Sequence, residues 1–155
     1  MKGTRYHFYI SVFCLTILYS TKIHAQEITI KQTITYINEK LAPRCSIDVI
    51  KGVLVTVYKE GGEVMREDQV SIGDLDISSV KFNATENMLT INCKGFPGKK
   101  CVTKDLYQVK KSNYFPRTSF EVYLNEKSAE GLKNAFIHLI RLITEPKYKS
   151  SEPFE

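Results

Sequence analysis

The chain has 155 residues, and 22 lysines and arginines against 17 aspartates and glutamates give a net charge of +5. Three of the basic residues (Lys2, Arg5, Lys22) and no acid fall within the first 25 positions, so the rest carries 19 basic and 17 acidic side chains, a net of +2. That near balance excludes a strong electrostatic demand for nucleic acid or an anionic membrane, and the remaining length suits one domain with its own core.

Residues 1–25 read as a signal peptide. Lys2 and Arg5 precede FYISVFCLTILY at 8–19, an apolar run of twelve that matches a signal-peptide core and is short for a bilayer span. Ile23-His24-Ala25 places a small residue at the cleavage position, which leaves Gln26 as the expected N-terminus and no integral membrane segment after cleavage. An uncleaved anchor helix is the alternative. The short segment with its Ala-Gln junction resembles exported proteins of Bacteroidetes-type bacteria, which implies a periplasmic or extracellular location. Export would place Cys45, Cys93 and Cys101 in an oxidising compartment. Three cysteines allow three single pairings. Cys93 and Cys101 bracket KGFPGKK, a Gly- and Pro-containing connector between strand-like runs, so their pairing is preferred, with Cys45 left as a buried thiol.

The single domain is expected over 26–145, with a polar, disordered tail at 146–155. It opens with a helix. Thr29 and Gln32 stand three apart as a capping box, Ile30, Ile34, Ile37 and Leu41 form a narrow apolar seam, and Pro43 ends the segment. From 46 to 124 the period becomes two. Val53, Val55 and Val57 alternate with Leu54, Thr56 and Tyr58, and Gly61-Gly62 follows as a hairpin turn. The more polar run 64–72 reads as an edge strand, and strands follow at 77–82, 88–93, 101–109 and 118–124. The segment 110–117 (KKSNYFPR) reads as a loop with an exposed aromatic pair, Tyr114 and Phe115. At 128–143, SAEGLKNAFIHLIRLI puts Leu132, Ala135, Phe136, Leu139, Ile140, Leu142 and Ile143 on one broad face of an amphipathic helix.

These elements predict an α+β, mostly β domain. An N-terminal helix precedes a curved antiparallel sheet or partly open barrel of six to seven strands, closed by the C-terminal helix. The order resembles a pleckstrin-homology-like domain, carried by VSIGDLDISSVKF (70–82) and AEGLKNAFIHLIRLI (129–143). The helix at 29–41 departs from the basic family pattern. So does the first hairpin turn, Tyr58-Lys59-Glu60-Gly61-Gly62-Glu63, which lacks the basic motif for a phosphoinositide headgroup.

No catalytic set stands out. After cleavage His138 is the one histidine, and Cys45 with His138 is the one nucleophile–base pair of that type the residues supply. A surface position for His138 is the plainer reading. The cysteines and His138 lack metal-site spacing, and Asp74 and Asp76 fit turn chemistry better than calcium ligation. No cofactor is expected. Lys94, Phe96, Lys99, Lys100 and Lys104 form one basic neighbourhood with an aromatic, and Lys110, Lys111, Tyr114, Phe115 and Arg117 a second; both suit a protein or anionic glycan partner, with solvated connectors as the plainer reading. The leading expectation is therefore an exported, non-enzymatic binding or scaffold module. A carrier for an apolar ligand or lipid, and a small hydrolase, are the alternatives.

Overall fold

The computed structural model describes residues 29–145. The signal peptide expected over 1–25 and the tail at 146–155 lie outside the described residues. The described chain is α+β and mostly β. Helix α1 (Ile30–Leu41) is followed by eight strands: β1 (Cys45–Ile50), β2 (Val53–Glu60), β3 (Glu63–Ser71), β4 (Lys81–Asn83), β5 (Met88–Asn92), β6 (Val102–Leu106), β7 (Lys111–Phe115) and β8 (Arg117–Glu121). Helix α2 (Glu126–Thr144) ends it. Every pairing is antiparallel, in a five-stranded sheet of order β1-β2-β3-β6-β7 and a three-stranded sheet of order β4-β5-β8. The two sheets do not close into a barrel.

Local chemistry sets these boundaries. The Thr29 hydroxyl accepts from the Gln32 N–H while the Gln32 side chain accepts from the Thr29 N–H, so the capping box starts α1. Asn125 starts α2 by accepting from the Ser128 N–H. Gly61 and Gly62, at φ 59° and 91°, supply the two positive dihedrals of a tight turn between β2 and β3.

Three expectations need correction. The polar run at 64–72 is no edge: β3 lies in the middle of its sheet, between β2 and β6. Residues 77–82 do not form one strand, because Asp76 accepts from the Ser78 N–H and caps a 3₁₀ turn (Ile77–Ser79), leaving only β4. The loop expected at 110–117 is instead β7 running into β8 through Pro116, which brings the strand count to eight rather than six or seven.

That β7–β8 ribbon joins the two sheets. The Phe115 carbonyl accepts from the Cys101 N–H just ahead of β6, while the Pro116 carbonyl accepts from the Cys93 N–H just after β5. Neighbouring carbonyls of an extended chain point to opposite edges, so β6 holds one edge of the ribbon and β5 the other. The disulfide Cys93–Cys101, with Cα atoms 5.8 Å apart, ties the ends of those two flanking strands together across the connector.

The core lies between the inner faces of the sheets and the helices. Ile37 and Leu41 of α1, Leu54 and Val70 of the larger sheet, Leu89, Ile91 and Phe120 of the smaller, and Leu132, Phe136 and Leu139 of α2 belong to one buried cluster. Phe136 meets Phe120 at 4.7 Å between ring centroids, a tilted stack that seats α2 on β8. At Gly131 the Tyr36 hydroxyl comes so near that an added Cβ would lie 2.5 Å from it, so the bare backbone of α2 is what admits Tyr36 of α1.

Candidate functional site

The inner face of the five-stranded sheet changes character along the strands. Alternation turns Leu54, Thr56 and Tyr58 of β2, Arg66, Asp68 and Val70 of β3, and Val102 and Lys104 of β6 to the same side. Register then places Ile47, Thr56, Asp68 and Lys104 in one row across four strands, and Cys45, Tyr58 and Arg66 in the next. Leu54 and Val70 lead into the apolar core, whereas the Tyr58–Arg66 end is polar. There a cleft of about 790 Å³ opens between the sheet and β8, lined by Arg44, Cys45, Tyr58, Arg66, Lys104, Phe115, Arg117, Ser119 and Glu121, with Phe96 and Pro97 of the disulfide-closed loop.

Charge in the cleft is organised by one buried carboxylate. Asp68 is 1% exposed and sits 2.8 Å from Arg66 Nε and 3.6 Å from Lys104 Nζ. Neither carboxylate oxygen of Asp68 receives an aligned hydrogen bond, so Coulomb attraction is what holds the triad. Burial pushes the Asp68 carboxyl above its ordinary value, and the attraction of Lys104 and Arg66 offsets that only in part. Burial likewise lowers the Lys104 ammonium, with Asp68 opposing and Arg66 and Arg117 adding to the shift. Both cations lie on aromatic faces. The Arg66 guanidinium is 3.7 Å from the Tyr58 ring centroid and the Lys104 ammonium 4.8 Å from that of Phe115.

The opposite wall is the outer edge of β8. Leu89 pairs with Phe120 and Ile91 with Thr118, and the Val122 N–H donates to Asn87, so the even-numbered residues of β8 bond toward β5. Arg117, Ser119 and Glu121 turn their backbone groups the other way, where no strand pairs with them among the described residues. The Ser119 carbonyl accepts from the Tyr58 hydroxyl at 2.8 Å, which fixes Tyr58 across the gap. Burial, with Cys45 and Asp68 adding, raises that phenol well above its ordinary value and keeps it a donor. Arg44 binds Glu121 at 3.1 Å, and Arg117 has no ion pair among the described residues. Four cations, Arg44, Arg66, Lys104 and Arg117, thus face two carboxylates, Asp68 and Glu121, an excess of two positive charges.

The residues expected from the sequence to bind a partner are split by the fold. Phe96, Lys104, Phe115 and Arg117 reach the cleft. Lys94 donates to the Gly73 carbonyl at 2.6 Å and Lys99 pairs with Asp74 at 2.6 Å, so both anchor the loop onto the turn at 72–74. Lys100 is exposed on the same loop, and Tyr114 is exposed on β7 beyond the lining. Asp76 makes the turn bond expected of it, whereas Asp74 meets Lys99 instead. Cys45 and His138 line different clefts, Cys45 the basic one and His138 a groove with Tyr36 and Gly131 between the helices. The four residues that define the cleft's charge, Arg44, Arg66, Lys104 and Arg117, are far apart in sequence. Only the register of β3 against β6 brings two of them together.

Burial pushes the Cys45 thiol up to about 12, which leaves almost no thiolate at neutral pH. Iodoacetamide at about pH 8 is therefore expected to leave folded Cys45 unmodified. After denaturation without reductant, peptide mapping should find Cys45 alkylated and Cys93 and Cys101 still joined. Rapid labelling of Cys45 in the folded protein would show that β1 opens readily.

No protein-family model, curated protein or solved structure matches the chain. Among the described residues, no group of three or more His, Cys, Asp or Glu side chains is placed to hold a metal, and no helix is long and apolar enough to cross a membrane.

Proposed function

We propose that the protein is an exported, non-enzymatic binding module that takes an anionic ligand in the cleft between β8 and the polar end of the five-stranded sheet. The observation that carries this reading is the excess of two cations over carboxylates around that cleft, with Asp68 fixing Arg66 and Lys104 in place from beneath. Cations held on aromatic faces keep part of their charge free for a ligand, and each hydrogen bond to a charged acceptor contributes about 1.5–3 kcal/mol. Electrostatic complementarity of this kind favours fast association that weakens with salt. Much of the surface that the lining exposes is carbon, and the four cations around it are what favour an anion over the apolar cargo of a lipid carrier. A hydrolytic role for Cys45 finds little support, since its thiol stays protonated and His138 belongs to another cleft. The disulfide accords with export.

Citrate serves as a simple probe. Titrating it into isotope-labelled protein should move the NMR signals of Arg66, Lys104, Arg117 and Ser119 together, and added salt should reverse the shifts. Shifts scattered over all exposed lysines would overturn the assignment of this cleft.

A further inference from the structure

Two cations of the cleft, Arg66 and Lys104, are gathered at Asp68, whereas Arg117 and Arg44 stand toward opposite ends of β8. Arg117 and Glu121 lie four residues apart on β8, about 13 Å at the rise of a strand, and Arg44 is bound at the Glu121 end. Lys104 and Arg66 lie on the facing wall, with the charge of Arg117 felt at Lys104. A compact dianion would meet one end of this row and leave the other empty. An oligomer with one carboxylate per unit would engage both ends.

Two further features narrow the chemistry. The Ser119 carbonyl, at the middle of the unpaired edge of β8, already accepts from the Tyr58 hydroxyl, so an incoming peptide strand would have to share that acceptor with Tyr58 or displace it. Phe96 is 46% exposed and Phe115 37% exposed, and both line the cleft, so each offers ring surface to a ligand. The negative π-face of such a ring attracts the weakly positive C–H groups of a pyranose, and the flat bodies stack.

Resting on the reading of this cleft as an anion site, we propose that its ligand is an acidic oligosaccharide carrying uronic carboxylates. Arg117 at one end of β8 and Arg44 at the other take the carboxylates, Lys104 adds its charge beside Arg117, and Phe96 and Phe115 support the sugar rings. The neighbouring N–H groups of β8's free edge are available to hydroxyl and carboxylate oxygens.

Calorimetry of the purified chain with tetragalacturonate, its fully methyl-esterified form and tetraglutamate tests this. Tetragalacturonate should bind, the ester should not, and tetraglutamate should bind at least about tenfold more weakly. Arg117→Gln, an exposed change that spares the core, should weaken tetragalacturonate about tenfold. Phe96→Ala should weaken it severalfold while leaving citrate unaffected, and Lys81→Gln, outside the cleft, should change neither. Equal or tighter binding of tetraglutamate would overturn the saccharide assignment and leave the anion site standing. Tetragalacturonate failing where citrate still shifts Arg117 and Lys104 would do the same. Loss of citrate and tetragalacturonate binding alike would remove the underlying reading as well.

Discussion

Phe136→Ala is expected to lower the unfolding free energy by about 4 kcal/mol, a large share of what a domain of this size has in reserve. Phe136 is 1% exposed, and its ring stacks at 4.7 Å on that of Phe120, which is fully buried. Truncation removes that contact and the transfer free energy of the ring. It also leaves a cavity between two regular elements that cannot collapse onto each other. Urea denaturation of wild type and variant measures it, with the slope unchanged and the midpoint lowered. A loss below about 1 kcal/mol would mean that α2 is not seated on β8 as described.

Arg66→Met is expected to cost about 3 kcal/mol near neutral pH, because it strips the nearer counter-charge from a buried carboxylate. The loss should depend on pH in a set direction. Burial raises the Asp68 carboxyl in the folded protein above its unfolded value. The folded state therefore holds this proton more tightly, and the associated stability is fully present below the unfolded value and is lost as pH rises through the folded one. Removing Arg66 takes away one of the attractions that restrain the upward shift, so the window of loss extends to higher pH. Comparing the two proteins at pH 7 and at about pH 4.5, the difference should be largest at pH 7 and shrink as Asp68 protonates. Adding Asp68→Asn to Arg66→Met should recover most of the stability. A cost independent of pH, with no recovery in the double variant, would show that Arg66 acts through packing on Tyr58 alone.

Both helices were legible because their signals are local. Thr29 and Gln32 announce α1 within one turn, and the apolar arc from Leu132 to Ile143 defines the buried face of α2. The disulfide was legible for a similar reason, since its eight-residue spacing brackets a turn-rich connector. The strands were read less completely. β7 has no buried residue, so KSNYF carries no alternation and looks like a loop. β3 looks like an edge because Arg66 and Asp68, on its inner face, are charged. Those residues are tolerated there because Lys104 arrives from β6 in register with Asp68. That same register builds the basic cleft, and a partner 36 positions away leaves no mark in local periodicity. The basic loop at 94–100 showed the converse: its charge was plain to see, but Lys94 and Lys99 serve to moor the loop.

The ribbon of β7 and β8, bent at Pro116 and gripped by β6 on one edge and β5 on the other, ties the mechanical fate of the two sheets together. Neither can peel away while the other stays intact, because each borrows half of the same strand and the cross-link between Cys93 and Cys101 clamps the junction. Amide protons at Ile91 and Val102 should consequently exchange with solvent through one shared opening event rather than through separate local ones. The basic cleft straddles that junction, so whatever settles into it would slow the opening of the whole molecule.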